Sequence, residues 1–222
     1  MKKNYLIFVL STGLLFTLAF SALRIGFFAY WCLVPFFYMI ENLKLKDALY
    51  WSYLTGLFVS IGALGQFHSA TIIGSLILAL IHPLYFSVFA LIQVFLFQRW
   101  QRRAFWAAPF LWVGIEYLKG LNAVGMNGLF LGLTHSPQIS FVRSDFFLNI
   151  LLISFWLVLL NVLIFRMLTE LMHKTRVLTF LAVTIGLFAL PWYFKNTDKP
   201  DIDKFNDSIE AESVPTYKYS FN

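Results

Sequence analysis

A lone acid inside an apolar stretch is the first feature of this 222-residue chain that invites a chemical reading. Glu116 lies in Pro109-Phe-Leu-Trp-Val-Gly-Ile-Glu116-Tyr-Leu-Lys119-Gly120. On a helix, Trp112 four residues before it and Lys119 three after it share its face. A charge held in apolar surroundings costs on the order of 3 kcal/mol unless it is paired or wetted, so such a residue is a functional candidate by default. Two readings stand side by side: a carboxylate facing an outer cavity, or a Glu116–Lys119 pair that anchors a helix end. The four histidines carry less. His82 precedes Pro83, which frees a backbone carbonyl for a side chain to satisfy. His68 and His135 fall near the outer ends of a helix and of a loop, and His173 belongs to a basic segment. No two have the i, i+4 spacing of metal ligands, and no multi-cysteine site is possible with one cysteine, so neither a metal nor a cofactor is expected. Cys32, deep in apolar sequence, reads as a packing residue and not as a nucleophile. No residue is therefore assigned a catalytic role.

The elements that must hold these side chains follow from composition. The chain is 59% hydrophobic, 19% aromatic and only 13% charged, whereas a soluble domain is about one quarter charged. An ordinary water-soluble enzyme and a disordered chain are excluded. The net charge of +6 is spread along the sequence, so nucleic acid is not a partner either. Apolar runs between charges give seven segments of membrane-spanning character: Tyr5–Leu23, Ile25–Ile40, Ala48–Phe67, Thr71–Phe97, Phe105–Leu118, Phe146–Phe165 and Val177–Phe194. The expected fold is all-α, a polytopic integral membrane bundle of about seven helices.

Basic residues set the sidedness. With the amino terminus cytoplasmic, the inner segments hold ten: Lys2 and Lys3, Lys44 and Lys46, Arg99, Arg102 and Arg103, and Arg166, Lys174 and Arg176. The three outer loops hold one each, Arg24, Lys119 and Arg143. This predicts a cytoplasmic amino end and an external carboxy end. A Met-Lys-Lys start also resembles a signal peptide, but a 19-residue apolar run suits a first membrane helix better. Residues 195–222 differ in composition, with six of the chain's eleven acids, and read as a polar, disordered external tail behind a membrane domain of residues 1–194. The outer loop Lys119–Asp145 is glycine-rich yet apolar over Val124–Leu133. That combination suits a re-entrant segment lining a cavity or packing on protein.

Two stretches resemble the membrane portion of bacterial apolipoprotein N-acyltransferases. Leu18-Ala-Phe-Ser-Ala-Leu-Arg-Ile-Gly26-Phe-Phe-Ala-Tyr-Trp31-Cys-Leu-Val-Pro35-Phe is similar to the family's opening "LAFPPFG…WPLA…LVPL" pattern. Pro109–Gly120, with Gly125 and Leu131-Gly-Leu-Thr-His-Ser136-Pro-Gln138, is similar to its "P..W...EWLRG….GFPW..LGYSQ" block, and Asn161 fits its next helix. The resemblance implies seven spans before an outward nitrilase-like domain, and acyl transfer from a phospholipid to the amino-terminal cysteine of a diacylated lipoprotein. It implies the bacterial inner membrane, and a Glu-Lys-Cys triad that belongs to the nitrilase-like domain. That triad has no counterpart here. The family's arginine is Lys119, its "FPW" is Gly125-Met-Asn-Gly128, and the aromatic pair ending its third span is Phe67-His68.

The expected function is thus a membrane domain of acyltransferase type that binds without transferring. Its partners would be a phospholipid, a diacylated lipoprotein and the bilayer. Trp112, Glu116, Lys119, His135 and His68 would make the contacts. Its rivals are a small lipid-handling or transporter-type membrane protein, and a membrane partner for a separately encoded nitrilase-like subunit. The polar ending reads as that of a self-standing chain, and a truncated or split enzyme is the other possibility.

Overall fold

The computed structural model describes residues 4–20, 26–63, 72–121, 129–135, 146–169 and 181–187. In chain order they form α1 (Tyr5–Ala19), a 3-10 turn (Gly26–Tyr30), α2 (Val34–Glu41), α3 (Leu45–Gly62) and α4 (Ile72–Trp100). A second 3-10 turn (Gln101–Ala107), α5 (Ala108–Leu121), a third 3-10 turn (Leu131–Thr134) and α6 (Phe146–Thr169) follow. A short helical segment covers 181–187. Among the described residues there is no strand, so the all-α expectation holds.

Apolar side chains face outward as well as inward, which a helix does when lipid replaces water around it. Along α4 the residues Leu76, Leu80, Leu84, Val88 and Phe95 are all exposed. From Leu76 to Phe95 the helix rises about 28 Å, close to the hydrocarbon thickness of a bilayer. Two stretches, Leu76–Leu121 and Phe147–Thr169, are long and apolar enough to cross a membrane, while Tyr5–Ala19 and Gly26–Glu41 are shorter apolar helices. Seven such spans are not reached among the described residues. Of the seventh expected run only 181–187 is described, and Trp156 Nε1 donates to Leu187 O across 3.1 Å, which ties that segment to α6. The tail 195–222, His68 and His173 lie outside the described residues.

The second expected run is broken in two. Pro35 stands in the first turn of α2, where its missing N–H costs nothing, and the chain before it closes into a 3-10 turn. The polar groups freed at the break are taken up by Asn161 of α6. Its Oδ1 accepts from Leu33 N at 2.9 Å, and its Nδ2 donates to Ala29 O at 2.8 Å and Leu157 O at 2.9 Å.

Contacts order the helices into a bundle whose members alternate in direction. Ser87 Oγ reaches Leu49 O, while the Ser60 hydroxyl meets His82, so α3 and α4 are antiparallel. Phe110 packs on Phe155 near one end of α5 and Tyr117 on Phe147 near the other, so α5 and α6 are antiparallel too. Gly56 lets α3 approach α4 closely, since a Cβ there would lie 2.6 Å from Pro83 Cα. An aromatic core of Phe16, Phe36, Phe37, Phe86, Phe89, Phe105, Trp112 and Phe165 fills the centre.

One consequence concerns charge. Among the described residues, every lysine, arginine, aspartate and glutamate except Glu116 and Lys119 lies where α2, α4 and α6 end and α3 begins. These are Lys44, Lys46, Arg99, Arg102, Arg103 and Arg166 with Glu41 and Asp47.

Candidate functional site

At the opposite end, where α5 finishes, the charges are buried. Glu116 is 2% exposed and Lys119 is 3% exposed. The helical spacing read from the sequence is realised as a bond: Trp112 Nε1 donates to Glu116 Oε1 at 2.9 Å. The same oxygen accepts the Leu131 N–H at 2.8 Å. That second donor comes from the glycine-rich connection, whose described part packs on protein, with Leu129, Phe130 and Leu131 all buried. Gly132 is required there, because a Cβ would lie 2.1 Å from Ile150 O. Its N–H donates to Ser154 Oγ at 2.7 Å. Ser154 stands within hydrogen-bonding reach of the Glu116 carboxylate, while Oε2 makes no hydrogen bond of good geometry.

Lys119 does not pair with Glu116 directly. Its Nζ donates to Leu129 O at 3.1 Å and faces the rings of Tyr85 and Phe130 at 5.6 and 5.3 Å, the geometry of a desolvated cation over aromatic faces. The anchoring pair that the sequence allowed is therefore replaced by two charges held apart, each on other partners. Between them lies a cavity lined by Glu116, Lys119, His82, Tyr85, Trp112 and apolar neighbours. The space open to a water centre is about 20 Å³, room for about one water.

His82 joins this site from α4. It does not turn back to the backbone freed by Pro83: its Nδ1 lies 3.0 Å from Ser60 Oγ. Ser60 gives its only proton to Gly56 O at 2.8 Å, so His82 Nδ1 is the donor to Ser60. Sequence reasoning placed His82 in a structural role and missed Ser154 altogether. Each is a polar residue inside an apolar helix, a signal that marks a candidate without telling which neighbour it faces.

The remaining predicted contacts separate. His135 does not line the cavity. Its ring lies 4.9 Å from the Tyr30 centroid and 6.2 Å from that of Trp156, and Nδ1 meets Thr134 Oγ1 at 2.8 Å. Burial in this connection between α5 and α6 pushes its pKa down to about 4. His68 is outside the described residues. Cys32 is fully buried and donates to Ala29 O at 3.3 Å, as a packing residue should. Among the described residues no group of histidine, cysteine and acidic side chains could hold a metal ion.

An acid fixed by an indole and a backbone N–H, with one oxygen left over and an ammonium across a small gap, can receive one polar group in an otherwise apolar setting. Comparison with known proteins gives that arrangement a context. The chain is 25% identical over 183 residues to a protein named apolipoprotein N-acyltransferase from Pasteurella multocida (strain Pm70), covering 79% of this chain. It spans 35% of that relative's length. The model of the apolipoprotein N-acyltransferase N-terminal domain matches residues 12–163, a stretch that includes α5, the glycine-rich connection and most of α6. The chain belongs to that family.

Proposed function

We propose that this chain is a substrate-binding membrane domain of apolipoprotein N-acyltransferase type, serving lipoprotein maturation in the bacterial cytoplasmic membrane. Residues 1–194 would cross the bilayer seven times from a cytoplasmic amino end, with residues 195–222 as an external tail. The ligands would be a phospholipid and a diacylated lipoprotein, met at the end of the bundle that carries Trp112, Glu116 and Lys119. One observation carries the reading: Glu116 lines a cavity, and its Oε2 is buried without a hydrogen bond. A buried acceptor left unsatisfied costs about 1–3 kcal/mol, a cost recovered when a ligand donor fills the place. The cavity's size restricts this contact to a single polar group, an amine or hydroxyl of headgroup or lipoprotein. Acyl chains would run along the exposed apolar faces outside. Transfer itself is assigned to a nitrilase-like domain or subunit, because thiolate attack needs an accessible cysteine with an adjacent base, and Cys32 is fully buried.

Glu116→Gln tests the reading cleanly. The amide oxygen can keep the bonds from Trp112 and Leu131, so the helix end survives while the charge and the second acceptor go. Titration of phospholipid or a diacylated lipopeptide into the chain in nanodiscs should show binding weakened roughly tenfold to hundredfold, the worth of a charge-assisted hydrogen bond. Unchanged affinity in a folded Glu116→Gln variant would end the proposal.

A further inference from the structure

The other end of the bundle holds a second, larger recess that the reading above does not use. It is a basin of about 1340 Å³ between the ends of α2, α4 and α6, walled in part by Arg99, Arg102, Arg103 and Arg166. We propose that it binds a phosphate-bearing anion, either the headgroup of an anionic phospholipid in the leaflet at that end or free phosphate.

Charge is the first argument. Among the described residues lining the basin, Glu41 is the one acid, and it meets Arg102 Nε at 2.7 Å. Among the described residues, the guanidinium groups of Arg99, Arg102 and Arg103 against one carboxylate leave a net positive wall, and guanidinium forks match phosphate oxygens in pairs. Arg102 uses only Nε on Glu41, so both of its Nη groups remain for a ligand.

The arginines are also held in place. Arg166 Nη1 donates to Arg102 O at 2.8 Å, which joins the end of α6 to the turn after α4. That turn is forced. Gln101 has φ of 51°, a left-handed conformation that costs a residue with a Cβ about 1–2 kcal/mol. It reverses the chain directly after α4, so that Arg99 precedes the reversal and Arg102 and Arg103 follow it. Strain of this kind persists where the surrounding structure fixes it, commonly at ligand sites.

The rim is amphipathic. Trp100 is 55% exposed and Leu168 is 46% exposed beside the guanidinium groups, the combination that suits the level where headgroups meet acyl chains. Topology signalling is the competing explanation, since arginines at helix ends orient membrane proteins and complement the carbonyl ends of α4 and α6. Neither purpose requires a strained turn or a basin.

Arg99→Gln/Arg103→Gln is the variant to make, because it leaves Arg102 and Arg166 with their structural hydrogen bonds. Calorimetric titration of the whole chain in phosphatidylcholine nanodiscs would use phosphatidylglycerol in one arm and inorganic phosphate in the other. At low salt the wild type should bind at least one of the two, tenfold or more tighter than it binds chloride or phosphatidylcholine. The double variant should lose at least fivefold, and Arg99→Lys/Arg103→Lys, which keeps charge but loses the fork, should fall between. A preference for phosphatidylglycerol names the lipid as the source, and equal or better binding of inorganic phosphate names the free anion. No binding in either arm overturns the proposal. So does a double variant that binds as the wild type does, including one whose membrane orientation alone has changed. None of these outcomes depends on Glu116.

Discussion

Where α5 finishes, two opposite charges are buried at 2% and 3% exposure and do not touch. Where α4 finishes, six bases and two acids gather among the described residues, and an exposed Arg102 meets a half-buried Glu41 in an ion pair at 2.7 Å. The same residue types are thus used in two regimes. At the buried end each charge is fixed by a few directed bonds, and little screening reaches it. At the other end water and salt share the work, and the sum of many groups counts for more than any one. The difference separates a recess held by a few directed bonds from a surface governed by summed charge, and the two proposals above, recognition of one polar group and attraction of a class of anions, rest on that difference.

The largest expected effect comes from breaking the buried end. Gly132→Val should destabilise the chain by about 3 kcal/mol or more, because the added carbons collide with the backbone of α6. Thermal unfolding in detergent would show this, and the loss should be insensitive to salt. A Gly132→Val variant of normal stability would mean that the connection does not pack as described.

Lys119→Met is next. It leaves Leu129 O without a donor and Glu116 without a compensating charge, and should cost about 2–3 kcal/mol. Adding Glu116→Gln should return part of that loss. A double-mutant cycle measures the coupling, and strictly additive effects would show that the two charges do not sense each other across the cavity.

His135 sharpens the comparison through pH. Its folded pKa of about 4 lies below the ordinary histidine value, so the unfolded chain binds the proton more readily. Its contribution to stability is therefore complete above about pH 6.5 and is lost as pH falls towards 4, by on the order of 2 kcal/mol. Subtracting the stability curve of His135→Asn from that of the wild type isolates this from the carboxylates. A flat difference between pH 7 and 4.5 would contradict the burial. The smallest effect belongs to the exposed end: Arg102→Gln should cost under about 1 kcal/mol at low salt and less at high salt.

Much of this was legible in the sequence because it is local. Apolar runs bounded by charge match helices α1, α3, α4, α5 and α6 to within several residues at their ends, and a spacing of four put Trp112 on Glu116. What failed to show depends on which helix faces which. Helices α4 and α6 are apolar on all sides, so no periodicity marks their inner face. Hence Ser154 beside the glutamate and His82 on Ser60 could not be read in advance. The split of the second run was hidden for a similar reason. Hydropathy counts Ile25–Ile40 as one segment, while Pro35 and a side chain far downstream divide it. His135 was grouped with the site because it falls in the same connection, yet its partners Tyr30 and Trp156 come from elements that sequence distance does not link.

The closure of that split by Asn161 bears on biogenesis. Leu33 N and its bonding partner are separated by 128 residues. At a synthesis rate of about 5–20 residues per second, the ribosome needs roughly 6–25 s to deliver Asn161 after Leu33 has emerged. During that interval the Leu33 N–H lacks the Asn161 acceptor, and an unpaired N–H in apolar surroundings is costly. That bond can close only once α6 has been made. An element made early in this protein is therefore completed by one made late.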